Sequence, residues 1–164
     1  MKYRVQASEK IISFNQFRPI SGKLRKCGKT IVLTNGCFDI LHSGHILSLE
    51  YASSLGDILV VGINSDSSIK LNKGKTRPVV PIKSRSIVLA SLAVVDYVIV
   101  FEEKTAERLI REIAPDVYSK GGDYDLDDIV SQCPAIHVDI SPYEQNISTT
   151  LIIGNYVKRY SLDT

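Results

Sequence analysis

Short, β-branched apolar runs recur along this chain, and longer amphipathic stretches separate them. "TIVLTN" (30–35), "DILVVGIN" (57–64), "DYVIVF" (96–101), "PDVYSKGGD" (115–123) and "AIHVDI" (135–140) read as five strands. Residues 44–55, 81–92, 105–113, 125–132 and 148–160 read as helices, with Ser43 as N-cap of the first and Gly56 as its stop. Parallel neighbours need crossovers that are usually helical. The alternation therefore predicts a single α/β domain with an open, five-stranded parallel sheet flanked by helices. Ligands of such sheets bind beyond the carboxyl ends of the strands. The polar segments 35–45, 64–78, 120–124 and 146–150 each follow a strand, so they should gather on one edge.

The remaining features narrow the class. A chain of 164 residues is long enough to bury a core without staples. A net charge of +2 lacks the concentrated basic excess of a nucleic-acid binder. No run is long and apolar enough for a membrane span or a signal peptide, so no membrane partner is expected. Cys27, Cys37 and Cys133 form no close pair and leave one odd. That disfavours a disulfide framework or a zinc site and suits a reducing cytoplasm. Residues 1–29 read as a lead-in segment with at most a short helix, ahead of a domain spanning 30–164. The segment 65–78 reads as a polar loop, too long for a mere connector.

"TNGCFDILHSGH" (34–45) carries the chemistry. Gly36 lets backbone N–H groups approach a ligand closely, and His42 and His45 flank the start of the next helix, where free N–H groups favour an anion. Capping or core histidines would be the plain alternative. A pair of them in a strand–turn–helix context points instead to phosphate oxygens, held more strongly as charge builds in a transition state.

"GCFDILHSGH" resembles the G-x-F-D-x-x-H-x-G-H motif of the nucleotidyltransferase superfamily, which includes glycerol-3-phosphate cytidylyltransferases. "GINSDSSIK", "KGKTRPVVP", "SRSIVLASLAVVDYVIVFEE", "PDVYSKGGDY" and "STT" follow in the order seen in its adenylyltransferases that make ADP-heptose. The resemblance implies a Rossmann-like fold and transfer of an adenylyl group from ATP to D-glycero-β-D-manno-heptose 1-phosphate, with release of pyrophosphate, in the supply of heptose for surface glycans. A cytidylyltransferase acting on another phosphorylated alcohol is the alternative, as is a nucleotide binder that has lost catalysis. The cytidylyltransferases place an arginine shortly before the last helix, and "SPYEQ" (141–145) offers none.

On this resemblance His42, His45, Lys70 and Lys73 are candidates for catalysis. Asn35, Gly36, Cys37 and Phe38 would shape the turn around the triphosphate, Cys37 as a small packing residue with no base beside it. Lys120, Gly121, Gly122 and Asp123 would close around the nucleotide, and Ser148, Thr149 and Thr150 would meet phosphate oxygens, although plain N-capping also selects such residues. Asn146 stands where the family commonly has glycine. Asp39, either in nucleotide contact or in ordering the turn, joins Asp66, Arg77 and Arg85 as candidates for substrate binding. For Asp66 a turn or cap role, and for Arg85 a surface salt bridge, are the alternatives. Lys75 reads as solvated charge. Tyr156 and Tyr160 suit core or dimer contacts. Mg²⁺ is implied with ATP, riding on its phosphates with no dedicated protein ligands. A homodimer is implied too, along with a separate heptose kinase upstream.

Overall fold

The structure is a computed structural model that describes residues 5–121, 137–141 and 147–160. The expected helix at 125–132, together with Gly122, Asp123, Cys133 and Asn146, lies outside the described residues. Five strands, β1 (Ile31–Gly36), β2 (Ile58–Asn64), β3 (Tyr97–Phe101), β4 (Val117–Lys120) and β5 (His137–Ile140), form one sheet in the order β3-β2-β1-β4-β5. Every pairing is parallel, as the alternation of elements predicts. Among the described residues, seven helices accompany it: α1 (Ala7–Lys10), α2 (Phe14–Lys26), α3 (Ser43–Ser54), α4 (Asp66–Lys73), α5 (Ile82–Ala90), α6 (Glu107–Ile113) and α7 (Thr149–Tyr160).

Strand side chains alternate between two cores. Ile31 and Leu33 join Phe17 of α2 and Leu109, Ile110 and Ile113 of α6. Val32, Val61 and Ile63 join Leu49 and Ala52 of α3 and Leu89 and Ala90 of α5. At the edge where the strands begin, three aspartates lace neighbours together. Asp57, Asp116 and Asp96 accept hydrogen bonds from the backbone N–H groups of Thr30, Ile31 and Leu59. The opposite edge, where the strands end, is left for ligands.

Four local expectations change. The lead-in holds the 13-residue helix α2, opened by a reciprocal Ser13–Gln16 capping box. Its apolar positions Phe14, Phe17, Ile20 and Leu24 follow a helical spacing that Pro19 and the surrounding basic residues obscure. The first half of the 65–78 segment is helix α4, with the Ser65 Oγ accepting from the Ser68 N–H and Gly74 ending it at φ 89°. Only Ile69 and Ser68 of α4 are buried, which leaves little apolar period to read. Helix α3 has His42 rather than Ser43 at its N-cap position and ends at Ser54, with Leu55 as its C-cap and Gly56 just beyond. Gly56 is needed for close approach: a Cβ there would stand 2.6 Å from Val32 Cγ2 and 3.0 Å from the Thr30 carbonyl.

Candidate active site

β1 leads into the turn that carries the motif. Phe38 adopts φ 43°, a left-handed conformation uncommon for a bulky residue and a store of strain of the kind found at functional sites. Its ring lies against Gly36, where a Cβ would come within 3.1 Å. The Asp39 carboxylate is buried and accepts from Arg77 Nε at 2.7 Å, from Val79 N at 2.9 Å and from Val80 N at 2.8 Å. Burial alone would raise its pKa. Those N–H donors and the Arg77 charge outweigh it and hold the carboxyl below its ordinary value. Of the two roles left open for Asp39, it fills the ordering one here, fastening segment 77–80 to the turn.

Arg85 completes the same framework from below. It is 1% exposed, and its guanidinium donates to the carbonyls of Val80 (2.8 Å), Cys37 (2.6 Å) and Asn64 (3.0 Å) and to Asp66 Oδ1 at 2.6 Å. Asp66 Oδ2 also accepts from the Ile82 N–H. The structure thus places Arg85 and Asp66 behind the site, joining the turn, the end of β2, the start of α4 and the segment leading into α5. A surface salt bridge does not describe this arginine.

His42 holds the N-cap position of α3, and His45 follows in its first turn. Their rings stack, centroids 3.8 Å apart at 24°, and Phe38 lies 5.2 Å from His45. The Nδ1 atoms of both rings are buried without a hydrogen-bond partner among the described residues. Burial, the neighbouring His42 and the charge of Lys73 push the His45 pKa down to about 4, and burial lowers that of His42. Both imidazoles are therefore neutral near pH 7.

A cavity of about 520 Å³ opens at the carboxyl ends of the strands. Its wall takes Asn35, Gly36, Cys37, Phe38, Asp39 and His45 from the turn and α3. Lys73 and Arg77 come from the β2 side, Lys120 and Gly121 from the end of β4, and Thr149 from the start of α7. The Thr149 hydroxyl reaches the Ile40 carbonyl at 3.4 Å, tying α7 to the turn. His42, Lys70, Asp66, Arg85, Ser148 and Thr150 are not part of this wall. His42 stacks behind His45, and the Ser148 Oγ accepts from the Leu151 N–H as a plain helix cap.

The wall also holds residues that sequence reasoning passed over. Tyr118 donates through its hydroxyl to Asn35 Oδ1, orienting that amide. Ser48 lies one turn beyond His45 on the same face of α3, a spacing that could have flagged it. Asn72 and the loop residues Lys104, Thr105 and Ala106 complete the β3 side.

Residues 33–155 match the pattern of the cytidylyltransferase-like family. The chain belongs to the cytidylyltransferase-like family. As a member of that family it is a nucleotidyltransferase. It is 46% identical over 150 residues to the bifunctional protein HldE of a Nitratiruptor species, a match covering 92% of this chain and 32% of that protein. The bifunctional protein HldE of Aliarcobacter butzleri is 44% identical over 157 residues, covering 96% of this chain and 32% of that protein. The chain thus spans about a third of the length of these curated relatives. Among solved structures, the lipopolysaccharide core biosynthesis protein from Thermoplasma volcanium superposes with a TM-score of 0.62 at 35% identity, covering 71% of this chain and 100% of that one. A pantoate–β-alanine ligase from Francisella tularensis, complexed with β,γ ATP and β-alanine, gives a TM-score of 0.63 at 19% identity over 91% of this chain and 77% of that one, a likeness of fold alone.

Proposed function

We propose that this nucleotidyltransferase is an adenylyltransferase that makes ADP-heptose from ATP and D-glycero-β-D-manno-heptose 1-phosphate. The observation that carries the reading is the position of His45 on the cavity wall, at the start of α3 and between flanks of cationic and hydroxyl groups. The similarity to HldE proteins along nearly the whole chain favours a heptose acceptor. A phosphate oxygen of the sugar 1-phosphate attacks the α-phosphorus in line, the bond to the bridging oxygen breaks, and pyrophosphate leaves with that electron pair. No covalent intermediate is needed, only positioning and stabilisation of the spreading negative charge. With Nδ1 buried, the His45 tautomer protonated at Nε2 presents its N–H as a donor to the α-phosphate. The negative charge of the substrate then raises the imidazole pKa from its depressed value, so the bond strengthens as charge accumulates. His42 supports the ring by stacking, and Asn35, Lys120, Gly121 and Thr149 face the nucleotide.

Mg²⁺ fits the site as a companion of the triphosphate. The donors on the wall are mostly cationic or neutral, and Asp39, the carboxylate among them, already accepts from Arg77 and two backbone N–H groups. An ion neutralising phosphate charge would therefore keep its waters and ride on ATP. The remaining proposals extend the same resemblance. The chain acts in the cytoplasm as a homodimer, fed by a kinase-class reaction that makes the sugar 1-phosphate. Tyr156 and Tyr160 are exposed, their rings tilted against each other with centroids 4.6 Å apart, so they take no part in the core, and a dimer contact is the role proposed for them.

The test is pyrophosphate release from Mg²⁺, ATP and the β-heptose 1-phosphate, with CTP, GTP, UTP, the α-anomer and glycerol 3-phosphate in parallel. Turnover confined to ATP and the β-heptose phosphate supports the proposal. Turnover with another pair overturns the substrate, and nucleotide binding without any release overturns the enzyme reading.

A further inference from the structure

The loop between β3 and α6 brings Lys104 to the cavity wall, a residue without a role so far. Asn72 Nδ2 donates to the Lys104 carbonyl at 3.1 Å, which ties this loop to the end of α4. Lys73, the next residue of α4, lines the same side, and its charge reaches His45, whose pKa it helps to lower. Arg77 is also on this side, but its Nε is bonded to the buried Asp39 at 2.7 Å and its charge is balanced there. Among the described residues neither Lys73 nor Lys104 has a carboxylate within ion-pair distance.

The sheet order gives this pair its meaning. Lys73 and Lys104 follow β2 and β3, on one side of β1 and its histidine. Lys120 ends β4 and Gly121 follows it, on the other side, and Thr149 at the start of α7 also lines the cavity. In-line displacement requires the attacking oxygen and the leaving pyrophosphate to approach and depart on opposite sides of the α-phosphorus. With that atom at His45, one flank must hold the acceptor phosphate and the other the rest of the triphosphate. The β4 flank offers the Gly121 backbone, and the start of the 12-residue helix α7 lines the same cavity, a setting for a chain of phosphates. The β2–β3 flank offers two compact ammonium groups, a match for one dianionic phosphate.

We infer that Lys104, together with Lys73, binds the phosphate of the acceptor. This rests on the adenylyl-transfer reading above. Lys104 is exposed, so Lys104→Gln should leave the thermal midpoint in place. In the turnover assay we expect the KM for the sugar 1-phosphate to rise about tenfold or more, equivalent to about 1.4 kcal/mol. The KM for ATP and kcat should stay within about twofold, and Lys104→Arg should restore much of the loss. A rise in the KM for ATP instead would assign the flank to the triphosphate and overturn the inference. No change in either KM would make Lys104 a solvated charge and overturn it too. The acceptor used is whichever phosphorylated alcohol the wild type turns over, so a wrong heptose assignment does not decide the question. Should nothing turn over, inorganic phosphate is titrated calorimetrically into protein saturated with a non-hydrolysable ATP analogue. Phosphate binding weakened about tenfold in Lys104→Gln upholds the subsite. Equal binding, or none by the wild type, refutes it.

Discussion

His45 combines two properties that pull in opposite directions: a buried ring whose charged form is disfavoured, and a place among groups that attract anions. Its pKa stands near 4 in the folded chain, against an ordinary value of about 6.5. Because the folded value is the lower, the unfolded chain takes up more protons between those limits. The contribution of His45 to stability is therefore complete above about pH 6.5 and is lost as pH falls towards 4, with His42 acting in the same direction. Urea midpoints measured from pH 7 to 4.5 should fall for the wild type and fall less for His45→Gln. Pyrophosphate release by His45→Ala should drop about 10²–10³-fold, the usual cost of removing one donor to a developing oxyanion, with the fold intact by circular dichroism. Arg85 is the contrasting case. Its loss would take the donor from the buried Asn64 carbonyl, from the half-buried carbonyls of Val80 and Cys37, and from Asp66 Oδ1. Arg85→Ala should lower the stability of the ligand-free protein by about 3–5 kcal/mol, read from denaturant midpoints. An arginine whose role was to contact substrate would leave that measurement unchanged.

At the scale of elements, short connections place the site residues. β1 and α3 are joined by residues 37–42, and that turn is held by Asp39, by Arg85 and by the packing of Phe38. The α3–β2 connection passes so close to β1 that Gly56→Ala would drive a methyl group into Val32 and the Thr30 carbonyl. We expect a loss of about 1–3 kcal/mol in a thermal or urea melt, the range for overpacking a tight contact. α2 is as much a part of the core as the crossover helices, since Phe17 is 1% exposed between the sheet and α6. Phe17→Ala should cost about 3–5 kcal/mol in the same measurement. A helix merely leaning on the domain would show almost none of that loss.

For the whole molecule, the parallel sheet places every strand's carboxyl end on one edge, and the cavity lies there. Helices α3 and α5 cover one face while α2 and α6 cover the other, so the edge is open to ligand without exposing either core. Among the described residues no helix is long and apolar enough to cross a membrane. If ATP is the nucleotide bound, and only by the folded chain, Mg²⁺-ATP at a hundred times its Kd should raise stability by about 2.7 kcal/mol, seen as a higher melting temperature. If a catalytically inactive His45→Ala variant keeps that rise, the histidine acts on the reaction rather than on ground-state binding.

Strand positions, the parallel order and the edge that carries the site were legible in the sequence, because β-branched runs and intervening helices have periods that local side chains reveal. The motif turn was legible for a similar reason: glycine, aspartate and two histidines within ten residues have few joint uses. Helices α2 and α4 were not, one masked by Pro19 and basic residues, the other too polar to show a period. Roles that depend on long-range contacts also had to await the fold. Nothing local to Arg85 shows that it will meet the carbonyl of Cys37, 48 residues away, rather than a substrate. Nothing local to Lys104 shows that its loop will close the cavity beside Lys73. The sequence alone determined which chemistry was available and on which edge of the sheet it would lie. Only the tertiary structure decided which side chains line the cavity and which hold the framework, because that division is set by burial and by hydrogen-bond partners brought together from distant strands.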